Sequence, residues 1–477
     1  MPTAASAGID AKSLQEFVSS KWDDEIVPQL IEYIRIPCKS PHFDSDWASN
    51  GYIDAAVALA EQWSRAQAIP GLNIEVIRLE DRTPVIFFEI DGDAPGTILM
   101  YGHLDKQPEM TGWRDGLGPW IPVLDEGKLY GRGGADDGYS IFASLLALSA
   151  LKQQGIGHAR IVGLIECCEE SGSYDLPAYI DALKARIGTV DLVIGLDSGC
   201  GNYDQLWMTT SLRGIAAGTL TVEVLNEGVH SGDASGVVPS SFRIARQLLD
   251  RLEDAGSGRI LPKEFFCDIP DERSEQATLA GETLGDPMLS RFPFAGGTQP
   301  MTREYGEAVL NRTWRPFLSV VGADGMPAIK DAGNVLRPQT ALKLSLRIPP
   351  LIDGQSATQD LKRILEADPP HNAKVTFEAD QAATGWHAPA TAPWLKEVVD
   401  AASKQFYGKP AMMMGEGGTI PFMAMLGESF PQAQFLITGV LGPQSNAHGP
   451  NEFLHVPYAK KLTACVAQVI AGHGKRG

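Results

Sequence analysis

The 477 residues carry 40 basic and 59 acidic side chains, a formal charge of −19, and a surface of that sign repels nucleic acid phosphates and anionic lipid headgroups. An apolar content of 44% with 21% charged residues is that of a folded globular protein and excludes long disorder. The length exceeds what one compact core reaches and predicts two domains.

The acidic residues are spread along the chain, so their first role is solubility. Cys38, Cys167, Cys168, Cys200, Cys267 and Cys465 lie scattered, without the density of a disulfide scaffold or a pair of CxxC motifs, and predict reduced thiols. The opening MPTAASAGIDAK has no basic stretch followed by an apolar one, and no run of about 18 apolar residues follows anywhere. A cytoplasmic protein without a membrane or nucleic acid partner is expected.

In chain order, Leu14, Phe17, Val18, Ile26, Leu30, Ile31 and Ile34 recur at helical spacing and Pro37 closes the stretch, which predicts a helix over 13–36. Short β-rich and helical runs then alternate. Strands are predicted at 85–90, 97–101, 160–165 and 192–196, and helices at 140–153 and 177–185. That alternation is α/β patterning with a mostly parallel central sheet and helices on both faces.

From Trp207 the texture changes. A long alternating strand is predicted at 214–225, then a loop-rich stretch rich in Pro and Gly over 257–326. Strands at 341–348 and 374–379 and a helix at 356–367 follow. The α/β texture returns with a helix at 392–406, strands at 411–414 and 434–439, and a helix at 458–471. The expected organisation is a catalytic domain split into 1–206 and 387–477 by an inserted α+β domain at 207–386. There is no internal repeat or low-complexity segment.

The run ILMYGHLD ends a predicted strand in His103 and Asp105, which at spacing i, i+2 point to one side of an extended chain. In LYGRGGADDGYS, Asp136 follows a tight Gly-rich loop and precedes a helix, where it can be an N-cap or a ligand. The dinucleotide pattern GxGxxG is not met there, because Asp136 takes the place of its last Gly. RIVGLIECCEESGS ends a strand in Glu169 and Glu170; beside a metal, such a pair can divide labour, one carboxylate binding the cation and the other accepting a proton from water. VDLVIGLDSG ends in Asp197, and QFLITGV leads to His448 in LGPQSNAHGPNE. Four strands thus bring ligand-capable side chains to their carboxyl ends, where open α/β sheets place their sites. Two His and several carboxylates form a nitrogen and oxygen donor set suited to Zn²⁺, Mn²⁺ or Co²⁺. Cys167 and Cys168 are expected in or near the core. No GxSxG elbow or HExxH motif supports another hydrolytic chemistry.

In order, GHLD, GRGGADD, EE, the Asp after the next strand and NAHGPNE resemble the metallopeptidase family of carnosinases, cytosolic non-specific dipeptidase, carboxypeptidase G, aminoacylase and succinyl-diaminopimelate desuccinylase, over nearly the whole chain. The resemblance implies two divalent ions per subunit, zinc before manganese or cobalt. Asp136 bridges them, His103 and Asp197 complete one site, and Glu170 and His448 complete the other. Glu169 is implied as the general base and Asp105 as the group that orients His103. The inserted domain is implied to be a lid that dimerises, its His230, in GVHSGDASGVVP, reaching the partner's site as oxyanion donor. Asn334 in GNVLRP and Arg347 in LSLRIP resemble segments that grip a substrate carboxylate. Glu416, Gly417, Gly418 and Thr419 in GEGGTIP resemble a substrate-binding loop of the dipeptidase branch.

Two departures bear on the substrate. Gly138 and Tyr139 stand where many relatives have Lys-Gly, and Gly415 stands where dipeptidases commonly have Arg. The expected activity is metal-dependent hydrolysis of a dipeptide or other small peptide. The alternatives are an N-acyl-amino-acid amidohydrolase on the same scaffold and a catalytically silent, metal-stabilised binding protein; a retained Glu169 argues against the last.

Overall fold

A computed structural model describes residues 8–476. Residues 1–7 of the segment read for a leader pattern lie outside it. The chain enters through helix Ala11–Lys21, whose N-terminus is capped by the Asp10 carboxylate accepting from the backbone N–H of Lys12 and Ser13. A π-helical turn, Trp22–Ile26, joins it to helix Val27–Ile34. The single helix predicted over 13–36 is thus two, widened at the turn and ended before Pro37.

The central sheet has six strands in the order Asn73–Ile77, Val85–Ile90, Ala159–Glu166, Ala94–His103, Leu192–Gly195 and Gln434–Ile437. The last four run parallel and the first two are antiparallel additions at one edge. Successive side chains of Ala94–His103 serve opposite faces. Ile98 and Met100 join a core with helices Ser140–Gln153, Pro393–Tyr407 and Val456–His473, whereas Leu99 and Tyr101 join one with helices Leu176–Ile187 and Pro421–Ser429. Helices therefore cover both faces. Helix Tyr52–Ala66 and strand Asn73–Ile77 escaped the sequence reading. Ile53, Ala56, Val57, Ala60 and Trp63 do recur at helical spacing, but small alanines carry much of the stripe.

A second sheet is antiparallel, in the order Phe317–Asp324, Gln339–Ile348, Gly214–Glu223 and Lys374–Ala383. Strand Gln339–Ile348 alternates strictly between buried and partly exposed residues, so a one-residue slip would turn its apolar face to water. Leu344 and Leu346 pack with Leu220, Phe377 and residues of helices Ser241–Leu249 and Gly354–Glu366 in a core of their own.

The loop-rich reading of 257–326 needs correction. That stretch contains helices Asp271–Leu284, Asp286–Ser290 and Tyr305–Thr313, and the edge strand Phe317–Asp324. Ala277, Ala280, Val309, Leu310 and Trp314 belong to the first core, beside Trp207, Met208 and Met414. The first of these helices buries mainly Ala277, Ala280 and Gly281, and an alanine and glycine face carries almost no hydrophobic periodicity. It packs because the backbone of Tyr305 and Gly306 lies where a Cβ on Gly281 would be. Strand Trp207–Leu212 pairs in parallel with Met412–Glu416 in a small separate sheet.

Helix Ser140–Gln153 is buried on nearly every side, so it holds the sheet face behind the carboxyl ends of the parallel strands. Leu146 is buried within it. Leu146→Ala should destabilise the protein by about 2–5 kcal/mol, read as a lower midpoint of guanidinium unfolding. An unchanged midpoint would show that the helix does not support this core.

Candidate metal centre

His103 ends the central strand Ala94–His103, Glu169 and Glu170 form a 3₁₀ turn just beyond Ala159–Glu166, and Asp197 follows Leu192–Gly195. Parallel pairing puts these three ends side by side. His448 comes from the loop after the fourth parallel strand, and Asp136, whose own backbone is not helical (φ −124°, ψ 89°), from the turn Gly134–Gly138 leading into the buried helix.

The donor atoms converge. His103 Nε2 lies 3.4 Å from Asp136 Oδ1, 3.6 Å from Asp197 Oδ2 and 3.9 Å from Glu169 Oε2. His448 Nε2 lies 3.1 Å from Asp136 Oδ2 and 3.4 Å from Glu170 Oε2. Asp136 thus turns one oxygen to each histidine. Two overlapping sets, His103 with Glu169 and Asp197, and His103 with Asp136 and Glu170, have donor atoms within 4.8 Å of one another. His103 Nε2 is buried and has no hydrogen-bond partner, an arrangement that is costly unless something else takes its lone pair.

Electrostatics points the same way. Burial raises the Glu169 and Glu170 carboxyls, with Asp197 and Asp136 as their respective principal like-charged neighbours. Burial pushes Asp197 up to about 7, Asp136 adding to the rise and His103 opposing it. Asp136 alone is held low: burial would raise it, but the His103 and His448 imidazoles beside it outweigh that. Burial would lower His103, yet Asp105, Asp136 and Asp197 raise it. Four carboxylates around two imidazoles form an environment that divalent cations would neutralise, and the donor types suit them. The residues fit a metal pair.

Asp105 touches both His103 and the Glu169–Glu170 turn. His103 Nδ1 is 3.1 Å from the Asp105 carbonyl oxygen and 3.5 Å from its carboxylate. The two carboxylate oxygens accept from the backbone N–H of Glu169 at 3.1 Å and of Glu170 at 2.9 Å. Gln107 donates to Glu170 Oε2 at 2.5 Å.

The other expected residues form two groups. Arg347 Nη1 donates to Thr419 Oγ1 at 2.8 Å, and that hydroxyl donates to the Arg213 carbonyl at 2.6 Å. Arg213 Nε donates to the Gly417 carbonyl at 3.2 Å, and Arg312 Nη2 to Glu416 Oε2 at 3.0 Å. A Cβ on Gly199 would lie 2.7 Å from Glu416 Oε1, so the Glu416 carboxylate reaches the backbone two residues beyond Asp197. His230 and Asn334 meet elsewhere: Val229–His230 pairs with Val335–Leu336, and Ser231 N–H donates to the Asn334 carbonyl at 2.9 Å. Among the described residues, no hydrogen bond or ion pair joins this exposed ribbon to the cluster.

Packing accounts for the two departures. A Cβ on Gly138 would run into the Tyr33 ring, and one on Gly415 into the Ser211 hydroxyl and within 3.0 Å of Thr313. The roles of Arg132, Glu452, Gln107, Arg213 and Arg312 escaped the sequence reading. Arg132 and Glu452 stand inside the quoted motifs, whereas Arg312 sits in no motif.

The model of peptidase family M20/M25/M40 matches residues 99–472. The chain is 28% identical over 438 residues to the cysteinylglycine-S-conjugate dipeptidase of Corynebacterium striatum, covering 87% of this chain and 90% of the relative. It is 27% identical over 471 residues to the Cys-Gly metallodipeptidase DUG1 of Saccharomyces cerevisiae, covering 91% and 93%. The solved structure of human carnosine dipeptidase 1 superposes with a TM-score of 0.77 at 22% identity, over 98% of this chain and all of that one, 100%.

A buried ion pair locks the two loops that carry Asp136 and His448. Arg132 pairs with Glu452 and donates to the carbonyls of His448 at 3.0 Å and Gly449 at 2.8 Å; Glu452 accepts from Gly133 N–H at 2.9 Å. His448 has a φ of +64°, a left-handed conformation that costs a non-glycine residue about 1–2 kcal/mol, and the bond to its carbonyl supports it. Arg132→Met strands a buried carboxylate and should cost about 3–5 kcal/mol, with Glu452→Met added to it restoring part of the loss. Thermal unfolding of the single and double variants checks this; a single variant as stable as the parent would dismiss the clamp.

Proposed function

The chain belongs to peptidase family M20/M25/M40, and from that membership and the geometry of the cluster we propose that it is a metal-dependent dipeptidase. The observation that carries the reading is Asp136, which presents one oxygen to His103 and the other to His448, as a carboxylate shared between two ions must. His103 and Asp197 complete one site and Glu170 and His448 the other. Two divalent ions, zinc first and manganese or cobalt next, would supply polarisation of the scissile carbonyl and acidification of the attacking water.

The chain's own groups do the rest. Glu169 takes the water proton at its carboxylate and passes it to the departing amine. Its side chain is 12% exposed against 3% for Glu170, which supports giving the proton to the first and the ion to the second. Asp105 aligns His103 and the Glu169–Glu170 turn together. Arg347 takes the substrate's carboxylate, joined by an Asn334 that travels with His230 on the ribbon and so comes from the partner's lid, and the Glu416–Thr419 loop forms the wall beside Asp197.

The segment 207–386 is the lid through which two subunits associate. Its edge strand Phe317–Asp324 pairs on one side only and exposes Val320 and Val321, and an uncovered apolar edge favours a partner. His230 then serves the partner's site as oxyanion donor, in keeping with its separation from the cluster of its own chain. Small peptides are the substrates, as the names of the relatives suggest. Among the described residues no helix is long and apolar enough to cross a membrane; a cytoplasmic location remains part of this reading.

Chelation should abolish hydrolysis and added zinc, manganese or cobalt should restore it. Glu169→Gln should keep two bound metals and lose about 10²–10⁴-fold in turnover, measured as metal content beside kinetics. Near-normal turnover would overturn the base assignment, and a demand for N-acylated substrates would replace the dipeptidase by a deacylase. His230→Ala should lose about 10²–10³-fold. Mixing it with Glu169→Gln and exchanging subunits should restore activity, because one hybrid site then holds both groups. Verified heterodimers without activity would exclude action across the interface.

A further inference from the structure

Arg213 is a cation with nothing of opposite charge beside it. Its side chain is on a residue only 9% exposed, at the junction between strand Trp207–Leu212 and strand Gly214–Glu223. Its hydrogen bond is from Nε to the Gly417 carbonyl. Arg347 lies on the neighbouring strand, in register with Ile215, and its hydrogen bond is to the neutral Thr419 hydroxyl. Among the described residues neither guanidinium is ion-paired. Arg312, the third of the group, is paired with Glu416.

A buried guanidinium without a carboxylate is expensive, and its planar fork of donors matches a carboxylate in shape. Burial, with Arg347 and Arg312 adding their repulsion, pushes Arg213 down to about 9. The terminal carboxylate of a peptide satisfies one of the two free cations. The other is left for a second anion, and the two residues are neighbours: Thr419 accepts from the Arg347 side chain and donates to the Arg213 backbone carbonyl.

We propose that Arg213 is a specificity-determining residue, and that the preferred substrate ends in an acidic residue whose side-chain carboxylate Arg213 binds while Arg347 holds the terminal carboxylate. This rests on the dipeptidase reading above. The link to the proposed centre runs through the loop: Arg213 donates to the Gly417 carbonyl, and the neighbouring Glu416 lies against Gly199, two residues beyond Asp197.

The test compares Ala-Glu with Ala-Gln, which share size and differ in charge, on the metal-loaded full chain. The parent should favour Ala-Glu in kcat/KM by about 10- to 100-fold, the range of one charged hydrogen-bonded contact, mainly through KM. Arg213→Met should erase that preference by weakening Ala-Glu alone, and Arg213→Lys should retain part of it. Equal use of both substrates by the parent overturns the proposal. So does an Arg213→Met variant that loses both alike, since that marks a residue that only props the Gly417 loop. A second readout needs no turnover: glutarate, but not butyrate, should raise the parent's thermal midpoint, and glutarate should leave Arg213→Met unchanged. Failure to hydrolyse any dipeptide would overturn the proposed function, while the glutarate result would still decide the fate of the anion site.

Discussion

Four carboxylates crowd around one buried imidazole at the carboxyl ends of parallel strands, and this concentration of negative charge is the constraint on which the rest of the molecule turns. In a poorly solvated site like charges cannot all ionise, which is why burial and mutual repulsion raise Glu169, Glu170 and Asp197 while the two histidines hold Asp136 low. Divalent cations would resolve the conflict, and His103 Nε2, buried without a hydrogen-bond partner, is a donor such an ion would satisfy.

Ligands supplied by loops from distant parts of the chain must be aimed, and the aiming is done through the backbone. Asp105 receives the N–H groups of Glu169 and Glu170, so one side chain sets the turn that presents both. The Arg132–Glu452 pair ties the Asp136 loop to the His448 loop by three further contacts, all to backbone groups. Glycine is required where these loops crowd the core: Tyr33 occupies the space of a side chain at 138, and Thr313 and Ser211 that of one at 415. The departures from the family's common residues are consequences of packing that leave the donor set unaltered.

The charge of the whole chain and the charge of its substrate wall have opposite signs. A formal −19 is spread over the surface, where solvent and salt screen it. Of the arginines beside the Glu416 loop, Arg312 is neutralised by Glu416, whereas Arg213 and Arg347 have no acidic partner among the described residues.

The sequence by itself determined the parallel sheet and the donor set, because both leave local signals: buried strands read as continuous apolar runs, and each donor follows such a run within a few residues or sits in a Gly-rich loop. The antiparallel sheet was legible in the alternation of Gln339–Ile348 for the same reason. Helices Asp271–Leu284 and Tyr305–Thr313 were not, since the first packs through alanine and glycine and both find their partner in the first core. Only the tertiary structure joined Arg132 to Glu452, 320 residues apart, set Arg312 against Glu416, left Arg213 unpaired, and carried His230 away from the cluster. Periodicity records which face of an element is buried; it holds no information about which distant charge that burial brings alongside.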